Sequence, residues 1–494
     1  MQTISDKPFL FALRVCSFVG LAGAVVPAIG ATLQVGPTRA YIKPCAAFAA
    51  AAAGDTIEID TATYVGDVCG VYPNGLTIRG VNGRPKIDAG GNNAMGKGTW
   101  VIIGANITVE NVEMVGAKVI DKNGAALRLE GDNFTLRGSF LHDNENGVLG
   151  GLSTASNILI ETTEFGHNGY GDGYSHNLYI FNVGSLTFRY NYSHDANVGH
   201  NLKSRARINT ISYNRFSSTP PGQTGSTVSG QPSYEIDLPN AGTAYVIGNV
   251  IEQPAANQNS TMLAYGEEGA SNPLQDLYVV NNTFLNDQST AGTFILTGST
   301  VTTPVLMQNN IFSGVGTVNT QTAAIDKTNF RSLTPGFVDR ANYDLHPTGS
   351  LVVNSGSTPG LSAAGLSLAP VAQYKHVATG EARPVVGQID IGAYEAVSAT
   401  STVDTVPPVV AFVSPANGAK VRRSYKVSVM ASDNVGVTAT RLYLDGLLVA
   451  SASGGALTTT LSTMGMLGAH TLSAVAVDAA NNQATTSISV NYVH

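Results

Sequence analysis

An asparagine recurs at residues 191, 214, 249, 282 and 310, each time inside a short apolar run. The runs are Phe188–Tyr192, Ile211–Phe216, Val246–Ile251, Val279–Phe284 and Leu306–Phe312. The asparagines are 23, 35, 33 and 28 residues apart. A minimal unit of about 22–24 residues with loop insertions accounts for these steps; so small a unit cannot bury an apolar face alone and must stack on its neighbours. A second series runs His176–Tyr179, His200–Lys203 and Tyr234–Asp237, in which Leu178, Leu202 and Ile236 follow one another by 24 and then 34 residues. Both series lengthen at the same place, so one Pro/Gly/Ser-rich insertion, Ser217–Pro232, explains both. The pattern predicts a solenoid whose coils each carry two strands. The asparagine has a physical role there: a buried turn leaves backbone groups without ladder partners, and a side-chain amide satisfies them while bonding to the same amide one coil on.

Composition narrows the class of partner. Charged residues make up 12% of the 494, with 27 Lys and Arg against 34 Asp and Glu, a net charge of −7. That excludes a charged coiled coil, a disordered acidic chain and a basic nucleic-acid binder. Lys7 and Arg14 lead into the apolar stretch Val15–Gly30, which ends in the small residues Pro27–Ala31. Residues 1–31 therefore read as a signal peptide, an uncleaved anchor being the alternative. The mature protein is expected to be a monomer without a membrane span, extracellular or periplasmic. Cys45 and Cys69 remain after removal of the signal and read equally as one disulfide or as two buried thiols.

Ala46–Ala53 reads as a short helix, followed by the strands Thr56–Asp60 and Leu76–Gly80. Together with the repeats, Ala51–Tyr64 resembles the passage from cap helix to first coil in right-handed parallel β-helix proteins of the pectate-lyase-like class. Gln388–Glu395 resembles the closing segment of exported bacterial members. The resemblance implies an all-β right-handed parallel β-helix over residues 32–395. After a linker at 396–407 the composition shifts. Residues 408–494 read as a small β-sandwich, with strands at Val409–Val413, Tyr425–Ala431, Thr440–Leu444 and Thr471–Val477. Ser414–Gly418, Ser432–Gly436 and Asp478–Asn482 are similar to motifs of bacterial Ig-like modules.

Between Ser185 and Ser217 stand Arg189, Lys203, Arg205, Arg207 and Arg215 against the single acid Asp195, a cationic stripe on a negative chain. Alternate residues of a strand share a face. With Leu178, Leu202 and Ile236 inward, Asn177, Asn201 and Glu235 are expected outward as one row, and Tyr179, Lys203 and Asp237 as the next. Phe181 and Arg205 form a third.

Such a patch suits β-elimination of an acidic, uronate-containing polysaccharide, a reaction that needs a base, a cation for the carboxylate and a donor to the leaving oxygen. Lys203 is the candidate base, its pKa lowered by Arg205 and Arg207. Arg205 is the candidate carboxylate clamp, and His176, His200 or Tyr179 the candidate donor. Asn177, Asn201 and Arg207 are candidate substrate contacts, and Glu235 with Asp237 candidate ligands for Ca²⁺. Hydrolysis by the Glu235–Asp237 pair, epimerisation, and non-catalytic carbohydrate binding are the alternatives. The Asn-Thr-Asp, Gly-His-Gly and Arg-Ile-Lys motifs of β-helix polygalacturonases and the Asp-Pro-His-Asp motif of alginate epimerases are absent. His142, His167 and His194 follow the first strand of successive coils and read as stacking residues.

Overall fold

The computed structural model describes residues 30–216, 231–255, 257, 259–384, 386–396, 404, 406–434, 436–462, 465–478 and 480–493. The signal-peptide reading and most of the Ser217–Pro232 insertion lie outside these residues. Contacts divide the chain into two units, the first ending at Ala396.

The first unit is a right-handed parallel β-helix built from three parallel sheets of 12, 11 and 10 strands, here sheets A, B and C. One coil runs through Ser185–Arg189 in sheet A, Tyr192–His194 in sheet B and Leu202–Ser204 in sheet C, and Ile208–Ser212 opens the next. Each coil thus has three strands, where the sequence pattern suggested two. The runs read as single strands are each divided between sheets A and B by a sharp bend. The residue before every ladder asparagine adopts a positive φ: Tyr190 58°, Tyr213 57°, Gly248 68°, Asn281 53° and Asn309 56°. A bend of only two residues hides in an apolar pattern that otherwise continues unbroken.

The asparagines form one buried seam. Asn191 donates to Asn214 at 3.1 Å, Asn214 to Asn249 at 2.9 Å, Asn249 to Asn282 at 3.0 Å and Asn282 to Asn310 at 3.0 Å. Each side-chain oxygen also accepts the backbone N–H of the preceding asparagine. Beside the seam runs an apolar row in strict register, Ile160, Phe188, Ile211, Val246, Val279 and Met307. On the outer face of sheet A the same register aligns Glu58, Arg79, Glu110, Arg137, Glu161 and Arg189. The charges alternate along the row, and neighbouring pairs meet at 2.6–3.4 Å, except that no ion pair joins Arg79 to Glu110.

The helix Pro44–Ala50 starts two residues before the predicted span, because Pro44 occupies its first turn, where a missing N–H costs nothing. Its Phe48 packs edge-on against the buried Trp100 at 5.0 Å. Cys45 and Cys69 are joined by a disulfide. After the last coil the chain doubles back. Leu368 and Ala372 cover Tyr213, Tyr245 and Val280 on sheet A. Leu345, Tyr374 and Tyr394 cover Tyr192, Val250 and Leu285 on sheet B.

The second unit pairs a three-stranded sheet (Val409–Ser414, Ser424–Ser432, Ala456–Ser462) with a five-stranded one (Ala419–Val421, Val437–Leu444, Leu447–Ser453, Gly468–Asp478, Gln483–Tyr492). Val427, Val429, Leu442, Leu457, Leu472 and Tyr492 fill the space between them. Among the described residues, no helix is long and apolar enough to cross a membrane.

Candidate active site

Sheet C carries the site. Its register places Leu149, Tyr179, Lys203, Asp237, Ala264 and Leu296 side by side on the outer face. The expected neighbourhood of Tyr179, Lys203 and Asp237 is therefore present, but its exposure differs. Asp237 is 0% exposed and Lys203 8%. The cover is Glu267 and Glu268, which follow the next sheet C strand, Thr261–Tyr265. Oxygens of Asp237, Glu267 and Glu268 all lie within 4.8 Å of one another.

Lys203 Nζ stands 2.8 Å from Asp237 Oδ2 and donates to Glu268 Oε1 at 3.1 Å. Burial favours its neutral amine, yet Asp237 and Glu268 outweigh burial and raise the pKa. The expected lowering by neighbouring arginines does not occur, because the acids stand closer. Arg205 donates to Tyr179 Oη at 2.7 Å, to Glu268 Oε2 at 2.5 Å and to Asn240. Lys203 and Arg205 also lie 5.6 and 5.7 Å from the Tyr179 ring centroid, within cation–π range. Arg207 is exposed just before Ile208–Ser212, and among the described residues no hydrogen bond or ion pair joins it to this cluster.

Asn177, Asn201 and Glu235 do form a row, but it points inward. Their exposures are 0, 0 and 1%. Asn168 donates to Asn177 at 3.0 Å, Asn177 to Asn201 at 2.9 Å and Asn201 to Glu235 at 2.5 Å. The sheet C strands begin at Leu178, Leu202 and Ile236, so these three residues occupy the preceding bend, where strand alternation no longer holds. They are a second ladder and not substrate contacts. Burial pushes the Glu235 carboxyl up to about 8, against the hydrogen bonds from Asn201 and Asn257. Glu235 turns into the ladder against Asn201 and Asn257, while Asp237 faces His200 and Lys203, so the expected pair is not brought together as a cation site.

The histidines are corrected in the same way. His176 and His200 stack at 4.7 Å, and His200 stacks on Tyr234 at 5.0 Å. His176 Nδ1 accepts the His200 N–H at 3.0 Å, and His200 Nδ1 accepts the Tyr234 N–H at 3.1 Å. Both imidazoles must therefore carry their proton on Nε2. Burial, with nearby positive charge, holds His176 down to about 3 and His200 well below its usual range. Neither becomes an imidazolium acid near neutrality; His200 instead directs Nε2 at Asp237, 3.3 Å away. Outside the site, His142 and His167 share Asp143, both at 2.6 Å, and His194 lies between Asp195 and Glu164 at 2.7 and 3.2 Å.

Asn240, Glu267 and Glu268 escaped the sequence reading because they sit on connections beyond the strands. The Glu267–Glu268 doublet, one coil on from Asp237, was the available signal. Burial and the neighbouring Asp237 push the Glu267 carboxyl up to about 9. Both Asp237 oxygens and Glu267 Oε2 are buried and lack a hydrogen-bond donor at bonding angle. Asp237 and Glu267, with the ion-paired Glu268 beside them, are residues that could hold a hard divalent cation such as Ca²⁺. A groove of about 570 Å³ continues from Glu267 along Leu296, Thr297, Ser299 and Gln321.

Residues 408–474 match the family model described as a bacterial Ig domain. The chain is similar in structure to pectate lyase Pel9A, at 15% identity and TM-score 0.49 over 75% of this chain and 97% of that one. It is also similar to a mutant of the PL6 family alginate lyase AlyGC, at 13% identity and TM-score 0.29 over 79 and 61%. A pectin methylesterase from Aspergillus niger matches at 12% identity and TM-score 0.27 over 62 and 85%. No curated protein matches the sequence.

Proposed function

We propose that this chain is an exported carbohydrate-active β-helix protein that cleaves an acidic, uronate-containing polysaccharide by β-elimination. The observation that carries the reading is the joint placement of Lys203, Arg205 and Tyr179 over a carboxylate cluster, on a sheet face that continues into a groove. Export is supported by the Cys45–Cys69 disulfide, which needs an oxidising compartment, and by the apolar N-terminal stretch.

In this reaction a base takes the proton from C-5 of the uronate. The electron pair forms the C4=C5 double bond, the C4–O4 bond breaks, and the departing oxygen takes a proton from a donor. Lys203 is the base and Tyr179 the donor, since the Tyr179 oxygen accepts from Arg205 and its own O–H remains to be given. Arg205, itself hydrogen-bonded at three points, orients Tyr179 and offers positive charge to the uronate carboxylate. Lys203 acts as a base only when Asp237 and Glu268 no longer hold its ammonium. A divalent cation held by Asp237, Glu267 and Glu268 would supply that neutralisation, together with further positive charge for the substrate.

The test is the ultraviolet absorbance of products from alginate, pectate and glycosaminoglycans. Elimination leaves an unsaturated, absorbing sugar end. Reducing ends without absorbance would replace the reading with hydrolysis, and no cleavage of any polymer would replace it with binding. Lys203→Ala, with its circular dichroism unchanged, is expected to remove the absorbing products; retained activity takes Lys203 out of the mechanism.

A further inference from the structure

The outer face of sheet C differs in charge on the two sides of Lys203. Toward the N-terminal coils, Arg128 is aligned with Tyr179 through Leu149 and lies 5.8 Å from the Phe181 ring centroid. Lys97 is joined to the same patch through Glu130, which both cations share at 2.7 and 2.9 Å. Toward the C-terminal coils the groove beyond Glu267 is lined by Thr297, Ser299, Thr320, Gln321 and Thr322, with Leu296 and Val301 as apolar floor. Among the described residues no Lys, Arg or His lines it.

Leu296 is three strands from Lys203 in register, so the groove floor lies about 14 Å along the solenoid axis from the amine. Any polymer that reaches both must run across the strands. Its carboxylate at Lys203 and Arg205 meets cations. A second carboxylate placed past Glu267, along Thr297, Ser299 and Gln321, would meet none of the cationic side chains of the Lys203 side, and a charge left partly desolvated and unpaired is disfavoured. Hydroxyl and amide side chains over an apolar floor instead match an uncharged sugar, which offers hydroxyls to bond and C–H surface to pack.

Building on the elimination reading, we infer that the substrate is a mixed polysaccharide, with a uronate at Lys203 and Arg205 and an uncharged sugar in the groove beyond Glu267. A polymer made of uronates alone meets a charge penalty there.

The experiment compares the full chain on hyaluronan and desulfated chondroitin, in which uronate alternates with an uncharged amino sugar, and on alginate and polygalacturonate. Expected is at least a tenfold higher kcat/KM on the alternating polymers. The exposed Ser299 and Thr322 allow a converse test. The variant Ser299→Arg with Thr322→Arg is expected to narrow or reverse the preference while leaving circular dichroism unchanged. Equal or better cleavage of alginate or polygalacturonate by the wild type overturns the inference, as does an unchanged preference in the variant. Products with reducing ends but no unsaturation overturn the elimination reading alone, if the same preference persists. Should nothing be cleaved, calorimetric titration with the four polymers decides: preferential binding of the alternating pair supports the substrate assignment, and equal or absent binding overturns it.

Discussion

Replacing Asn249 by leucine tests the seam that holds the coils in register. The two side chains are close in size, so the change removes hydrogen bonds without opening a large cavity. Asn249 Oδ1 accepts from the Asn214 backbone N–H at 3.0 Å and from its side-chain amide at 2.9 Å, and Asn249 Nδ2 donates to the Ile211 carbonyl at 2.8 Å. The substitution strips a partner from each of these three groups; Asn282 Oδ1 loses the Asn249 amide as well but keeps the Asn249 backbone N–H. Asn249, Asn214 and Ile211 are all 0% exposed, so water does not replace what is lost. At about 1–3 kcal/mol for each buried group left unpaired, the cost is about 3–9 kcal/mol. A domain has about 5–15 kcal/mol in all, so the variant should fail to fold or unfold at far lower urea.

Asn329 supplies the control. It ends the seam, is only half-buried, and accepts from Asn310 at 2.9 Å. Water can take over there, and Asn329→Leu is expected to cost about 1 kcal/mol. The assay is urea unfolding followed by circular dichroism and by emission from Trp100, the one tryptophan of the chain. Similar losses for the two variants, or small losses for both, would refute the idea that the seam is a continuous and solvent-free device.

Three further outcomes are expected. In cation-free protein, Asp237→Asn should lower the Lys203 pKa, as read by NMR of ¹³C-methylated lysine, because the carboxylate that helps raise it is removed. Because the wild-type value is raised, the stability from this pair is present below the unfolded lysine pKa and fades as pH climbs through the folded one; the variant should lose that alkaline sensitivity. Nitrogen NMR between pH 5 and 8 should find His176 neutral throughout. His194 should stay an imidazolium, because Tyr192, Asp195 and Glu164 outweigh its burial and raise its pKa to about 10; titration of either ring in that window contradicts the geometry. Cys69→Ser opens a loop spanning 24 positions and should cost about 3 kcal/mol, seen first in Trp100 emission because Phe48 of the adjoining cap helix packs on that ring.

The sequence made the solenoid legible because its seam and its apolar row repeat in step and lengthen at the same insertion. Alternation placed Tyr179, Lys203 and Asp237 correctly in one row, since all three lie within strands. It misplaced Asn177, Asn201 and Glu235, which lie one residue before a strand, where the backbone turns and the side chains follow it inward. The division between sheets A and B was invisible because its bend uses ordinary residues such as Tyr190 and Tyr213 in a left-handed conformation that no local motif announces. The electrostatics of Lys203 could not be read either. They depend on Glu268, 65 residues away and brought close only by stacking.

The bend between sheets A and B has the same length in every coil of the seam: two residues separate Arg189 from Tyr192, Ser212 from Arg215, Ile247 from Val250, Val280 from Thr283 and Gln308 from Ile311. Among these coils all variation in length is therefore confined to the other two corners, and both of those border sheet C. The scaffold keeps a fixed spine on one edge and leaves the rims of the reactive face free to be rewritten. Loops there can be exchanged between related solenoids to alter which polymer is gripped, while the spine that sets the pitch of the coil is left untouched.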